Sequence, residues 1–135
     1  MQDTFSNKIV NINYDAPLNI MRIDYKGFGV SDLYREAVTK SFEIAYAYGC
    51  SRWLITQSEF RGVSPQDGNW LTNEWGPYIA QKYKEKGIDR RKTAVVRADN
   101  VFADYIAEKV AEGLQNSEEC QFFDNEEAAL AWLLS

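Results

Sequence analysis

The chain has 135 residues, of which 45% are hydrophobic and 26% charged, a length and composition that predict one soluble globular domain over residues 1–135. The net charge of −5 argues against nucleic acid as a partner, because phosphate binding depends on Lys and Arg. Histidine is absent, which excludes Ser-His and Cys-His nucleophile pairs and most mixed zinc sites.

The two cysteines, Cys50 and Cys120, lie far apart and form no CxxC motif. We expect both to be reduced, buried thiols of a cytoplasmic protein. The amino-terminal residues carry no signal-peptide pattern, and no run of 18 apolar residues follows. We therefore expect no membrane span. We also expect no metal and no cofactor.

The first elements form a hairpin followed by a helix. "KIVNINY" (8–14) and "LNIMRIDY" (18–25) alternate between apolar and polar residues around the turn residues "DAP", which predicts two antiparallel strands. "KGFG" then ends the hairpin, and an apolar helical face runs from Ser31, a plausible N-cap, to Gly49, a C-cap.

"RWLIT" (52–56) predicts a short buried strand. The stretch that follows it, up to Ser64, is expected to be a polar loop. Ser64, Pro65 and Asp67 have the types and spacing of a helix N-terminus with a capping box. Because proline cannot continue an α-helix undisturbed, Gly76-Pro77 is expected to split this helix into pieces of about 65–75 and 77–86.

The last part of the chain alternates strands with helices. "KTAVVRA" (92–98) predicts a central strand parallel to "RWLIT", and Phe102 and Tyr105 contribute to the apolar spacing of the next helix. "CQFF" (120–123) and a terminal helix follow. The predicted order is β-β-α-β-α-β-α-β-α, an α/β domain with a mostly parallel sheet and the hairpin at one side. The helices are expected to pack mostly on one face of the sheet or to flank it.

The closing "FFDNEEAALAWLLS" resembles the ends of STAS-like proteins, in which a strand, an acidic cap and an "AxxWL" helix close the domain. Here these residues are Ala129, Trp132 and Leu133. "WLIT", followed by a polar segment and a capped helix, is similar to the central unit of that family. The resemblance implies a SpoIIAA-like fold. It also implies a phosphorylatable residue after the central strand, and Ser58 is the residue that matches by position, although Gln57 stands where the family has aspartate.

Ser58, Glu59 and Arg61 are the candidate polar residues of a partner or ligand surface, with Ser58 as candidate phosphoacceptor. If Ser58 is functional, its hydroxyl should be exposed and within reach of the free N–H groups of the helix that begins near Pro65. A solvated loop serine is the alternative.

Trp70, Trp75 and Tyr78 flank the expected helix break. Aromatic residues at such a break can border a pocket for an apolar ligand. The alternative is that they form a small core beneath the break.

"KYKEKGIDRRK" (82–92) concentrates basic residues in an acidic chain. The run could receive an acidic partner. The alternative is that its cations stabilise the end of one helix.

The function expected from these features is that of a non-catalytic, cytoplasmic binding or regulatory module. It would engage a protein partner or a small apolar ligand through residues 58–78, and a homo-oligomer is compatible with the sequence. Two alternatives stay open: a small enzyme that uses the carboxylates of Glu59, Asp67 or Glu74, and a carrier of an apolar ligand with its pocket at Gly76-Pro77.

Overall fold

Six strands form one mixed sheet in the computed structural model, which describes residues 4–88 and 90–135. The strands are β1 (Thr4–Asn7), β2 (Val10–Asp15), β3 (Ile20–Gly29), β4 (Arg52–Val63), β5 (Arg91–Val96) and β6 (Glu118–Phe123). The helices are α1 (Ser31–Ala47), α2 (Pro65–Trp70), α3 (Gly76–Glu85), α4 (Val101–Gly113) and α5 (Glu126–Leu133), with a π-helical segment, Leu71–Trp75, between α2 and α3.

The strands lie in chain order across the sheet, β1-β2-β3-β4-β5-β6. Pairing is antiparallel from β1 to β3 and parallel from β3 to β6. The predicted α/β class, the hairpin at one side and the parallel pairing of β4 with β5 are confirmed, and β5 lies between β4 and β6. Strand β1 was not predicted, because its four residues carry no continuous buried face and are ordered by pairing with β2.

The predicted loop after "RWLIT" is wrong, because β4 continues to Val63. Its second half pairs with the end of β3, where Lys26 lies opposite Glu59 and Gly29 opposite Val63. The two strands shift register twice in this region. "KGFG" therefore does not release the chain; it supplies the partner that keeps residues 57–63 extended.

Helices cover both faces of the sheet. Residues of α1, the π segment, α3 and α4 pack into a large core that includes Tyr34, Trp75, Tyr83 and Leu114. Helix α5 packs on the other face, where the buried residues are Ile20, Leu54, Ala94, Val96, Ala129 and Leu133. Within the described ranges, no helix is long and apolar enough to cross a membrane.

The helix that begins at Pro65 changes type without leaving helical conformation. As predicted, α-helical bonding is interrupted next to Gly76-Pro77, but the interruption is the five-residue π segment and not a break. Pro77 has no N–H, so regular α-helical hydrogen bonding cannot pass through it. A Cβ atom on Gly76 would lie 2.3 Å from Leu114 Cδ2, so glycine permits the close contact between this helix and the end of α4.

Candidate functional site

The polar residues singled out by the sequence lie on the far end of β4. Ser58, Glu59 and Arg61 are all exposed. They extend beyond β5, whose last residue, Val96, pairs with Thr56. Only five residues lie between Ser58 and Ser64, but they continue strand β4. Extended backbone of this length spans roughly 20 Å, which argues against the expected link between the Ser58 hydroxyl and the N–H groups of α2.

The first turn of α4 crosses the end of β4. Gly62 has a φ of 105°, and a Cβ atom on it would lie 2.9 Å from the ring of Phe102. Val101, Phe102 and Tyr105 are 90%, 46% and 56% exposed. The helical spacing of Phe102 and Tyr105 suggested inward-facing residues; instead, these residues form an exposed apolar turn beside Gly62. The strand residues and this turn are named the β4–α4 surface: Ser58, Glu59, Arg61, Val101, Phe102 and Tyr105.

A groove adjoins this surface between α2 and α4, which pack against each other. Its volume is about 340 Å³, within the ordinary range of about 300–1,000 Å³ for ligand pockets. The lining residues are Pro65, Gly68, Asn69, Thr72, Tyr105, Ile106, Lys109 and Val110. Tyr105 belongs to both the groove and the β4–α4 surface, which makes the two features continuous.

The structure separates the three aromatic residues near the helix interruption. Trp70 is half-buried, with the Arg35 guanidinium 4.6 Å above its ring centroid. Trp75 is only 7% exposed and packs against Trp53 in the main core, where it lines an internal cavity and not an outer surface. Tyr78 is exposed but contacts Phe42 of α1. Tyr78 therefore does not join the other candidates.

Asp67 is fully buried and accepts three side-chain hydrogen bonds. The donors are Ser31 Oγ at 2.7 Å, Ser64 Oγ at 3.0 Å and Arg35 Nε at 3.0 Å. Ser64 caps α2 as predicted, accepting a bond from the Asp67 N–H at 3.2 Å. In contrast to a standard capping box, the Asp67 carboxylate bonds the Ser64 hydroxyl and reaches across to α1. Ser31 is the first residue of α1 and not its N-cap, which frees its hydroxyl for this bond.

The environment of Asp67 favours an ionised carboxylate. Burial acts to raise the pKa of Asp67, but the hydrogen bonds from Ser31, Arg35 and Ser64 outweigh it and hold the pKa below its usual value. Such a group links α1 to α2 and is poorly suited to proton transfer near neutral pH. The other two candidate carboxylates, Glu59 and Glu74, are exposed. Residues 4–88 and 90–135 contain no group of three or more His, Cys, Asp or Glu side chains that could hold a metal.

A cavity of about 80 Å³ lies between the sheet and α4. It exists because α4 presents alanine at three positions four residues apart, Ala103, Ala107 and Ala111, all of which line it. Leu71 and Trp75 of the π segment form part of its wall.

A buried ion pair lines this cavity. Arg91 and Glu118 begin β5 and β6, lie opposite each other in register and are 3% and 4% exposed. Arg91 Nε and Nη2 donate to one oxygen of Glu118, at 2.9 and 2.5 Å. The guanidinium carbon lies 4.8 and 4.9 Å from the ring centroids of Trp53 and Trp75. Arg91 Nη1 has no hydrogen-bond partner among the described residues.

The sequence pattern did not identify this ion pair. Arg91 belongs to the basic run 82–92, for which the sequence predicts either contact with an acidic partner or stabilisation of a helix end, yet its side chain is buried. Lys82 and Lys84 do stand in the last turn of α3, as the alternative for that run predicted. Because side chains alternate between the two faces of a strand, counting back by two residues from Val95 and Thr93 places Arg91 on the same, inward face. Its partner Glu118 lies 27 residues away and could not be identified locally.

Both cysteines are free thiols in the structure. Burial raises the pKa of Cys50. Burial and the nearby Glu118 carboxylate raise the pKa of Cys120, which lines the cavity. Neither thiol has the low pKa of a reactive cysteine.

Comparison with known proteins returns no match: none among protein-family models, none among curated proteins and none among solved structures. The resemblance to STAS-like domains therefore rests on the sequence motifs alone.

Proposed function

We propose that the chain is a non-catalytic, STAS-like regulatory module of the cytoplasm that binds a protein partner through the β4–α4 surface and the adjoining groove. The observation that carries the proposal is the exposed first turn of α4, where Val101, Phe102 and Tyr105 stand together in solvent. Clusters of large apolar residues on a surface commonly mark interaction sites.

The position of this surface in the fold supports the proposal. Ser58–Arg61 and the β5–α4 connection lie at the carboxyl ends of parallel strands, the edge at which open α/β sheets usually bind ligands. The backbone joins the two elements there, since the Asp99 N–H donates to the Ser58 carbonyl at 3.3 Å. A partner seated on this edge would therefore contact β4 and α4 together.

The chemistry of the surface favours a protein segment over a purely apolar ligand. Its apolar centre, Val101, Phe102 and Tyr105, lies beside the end of β4, a strand that carries exposed charges of both signs on Arg61 and Glu59. The groove adds polar groups on Asn69 and Lys109. An apolar centre with a polar rim is the usual arrangement of a protein–protein interface.

The alternatives fit the geometry less well. The carboxylate of Asp67 is saturated with donors, which disfavours an enzyme that uses it as an acid or base. The cavity beside the π segment, at about 80 Å³, is small against the roughly 300 Å³ or more of a carrier pocket. Ser58 stays the proposed phosphoacceptor because its side chain is exposed, and a phosphate there would add about two negative charges to the rim of the proposed interface.

Two tyrosines of equal exposure provide the test, because Tyr105 and Tyr78 are each 56% exposed and only Tyr105 lies on the proposed surface. The wild type, Tyr105→Ser and Tyr78→Ser should be purified from the source cell under mild conditions, and the stoichiometry of co-purifying protein should be measured. We expect a protein retained by wild type and Tyr78→Ser and lost from Tyr105→Ser. Equal retention by both variants, or loss from Tyr78→Ser alone, would contradict the proposal.

A further inference from the structure

We propose that the cavity beneath α4 is a binding site for a small, neutral molecule that carries a hydrogen-bond acceptor. This site is separate from the β4–α4 surface and does not depend on its function. The inference rests on three properties of the cavity: a free buried donor, a balanced charge and a limited volume.

The free donor is Arg91 Nη1. Arg91 lines the cavity, its side chain is 4% exposed, and Nη1 is without an acceptor in the part of the chain that the structure describes. A buried donor left unpaired is costly, so an acceptor placed against it gains more than it would in water. The rings of Trp53 and Trp75 and the bonds to Glu118 hold the guanidinium in place, so binding requires little ordering of the donor.

The balance of charge selects a neutral ligand. Glu118 already neutralises Arg91 inside the protein, and the raised pKa of Cys120 keeps that thiol uncharged. An anion or cation entering the cavity would lose its hydration without meeting an unpaired opposite charge, which is unfavourable in a buried site. A carbonyl oxygen accepts a hydrogen bond from Nη1 without this penalty.

The volume limits the size of the ligand. The cavity measures about 80 Å³, roughly half the 150 Å³ of a cavity that holds benzene. About three or four non-hydrogen atoms fit. The ligand class is therefore a small amide or ketone, or the equivalent carbonyl group.

Acetamide and acetate are matched probes, since they have the same number of non-hydrogen atoms and similar shape but differ in charge. Each should be titrated into the full chain while the indole N–H signals of the tryptophans are followed by NMR. We expect acetamide to shift the signals of Trp53 and Trp75 saturably and to leave Trp132, on the opposite face, unchanged. Acetate should produce no saturable shift. No saturable shift with acetamide, or equal binding of both probes, would overturn the proposal.

Variants distinguish the cavity from other binding places. Ala107→Met fills the cavity from α4, and the exposed Ala131 of α5 provides the control, Ala131→Met. Arg91→Lys keeps the positive charge near Glu118 but removes the guanidinium group and with it the donor at the position of Nη1. We expect Ala107→Met and Arg91→Lys to weaken acetamide binding at least about tenfold, with Ala131→Met unchanged. If Arg91→Lys fails to fold, Ala107→Met decides alone: binding that survives this change, or a crystal grown with acetamide that shows only water in the cavity, refutes the site.

Discussion

Replacing Asp67 by alanine or asparagine tests whether its buried carboxylate joins α1 to α2. Alanine removes three hydrogen bonds to an ionised acceptor, each of which is typically worth about 1.5–3 kcal/mol. The Arg35 side chain is 44% exposed and can turn to water, so the lasting loss comes from the hydroxyls of Ser31 and Ser64. We expect Asp67→Ala to lower the free energy of unfolding by about 3 kcal/mol.

Asparagine should cost less, about 1–2 kcal/mol at pH 7, because its oxygen can accept from Arg35 while its amide donates to a rotated hydroxyl. The pKa of Asp67 is lower in the folded protein than in the unfolded chain, so the carboxylate stabilises the fold fully above about pH 4 and loses this effect as pH falls further. The advantage of wild type over Asp67→Asn should therefore shrink below about pH 4. Urea unfolding followed by tryptophan fluorescence at several pH values measures it.

The exposed Asp24 supplies a control, and Asp24→Asn should change stability by no more than about 0.5 kcal/mol. A wild type and an Asp67→Asn variant of equal stability at pH 7 would refute the proposed role of the Asp67 carboxylate in joining α1 to α2. A stability difference that stays constant down to pH 3 would refute it as well.

Three further substitutions give separate expectations. Gly62→Ala should destabilise the fold by about 1–3 kcal/mol, because the added Cβ atom would clash with the Phe102 ring and because Gly62 has a φ of 105°, which alanine adopts only with strain. Thermal unfolding measures the effect, and an unchanged midpoint would show that the strand relaxes freely. Glu118→Ala should cost about 3–5 kcal/mol because it leaves the buried Arg91 unpaired, and denaturant unfolding showing a loss below about 1 kcal/mol would contradict the burial of that pair. Ser58→Asp should alter partner binding yet change the free energy of unfolding by no more than about 0.5 kcal/mol. Ser64→Ala should lower the free energy of unfolding by roughly 1–2 kcal/mol, because it removes the helix cap and the bond to Asp67. An exchange of these two phenotypes would show that Ser58 has no binding role.

Local sequence patterns correctly predicted those strands and helices whose signals lie within a few residues of one another. The alternation of β2 and β3, the Ser64-Pro65 helix start and the continuous apolar character of β5 each predicted an observed element. These signals depend on residues a few positions apart, where period and capping chemistry are decisive.

Features that depend on distant residues were missed. Residues 57–63 form a strand because the end of β3, some thirty residues earlier, pairs with them, and nothing in "QSEFRGV" itself requires that. The burial of Arg91 depends on Glu118 and on two tryptophan rings from other elements. The proposed surface was predicted in part: Ser58, Glu59 and Arg61 are exposed as candidates should be, while Trp75 belongs to the core.

Site-specific photo-crosslinking in the source cell tests whether a protein partner occupies the β4–α4 surface and its groove. A photoreactive amino acid would replace the exposed Asn69 in the groove or, as control, the exposed Tyr78. Occupancy of this surface predicts one discrete crosslinked product of fixed mass from position 69, which is lost on adding Tyr105→Ser, and no product from position 78. Crosslinking from position 78 alone, or crosslinking at position 69 that Tyr105→Ser leaves unchanged, would contradict it.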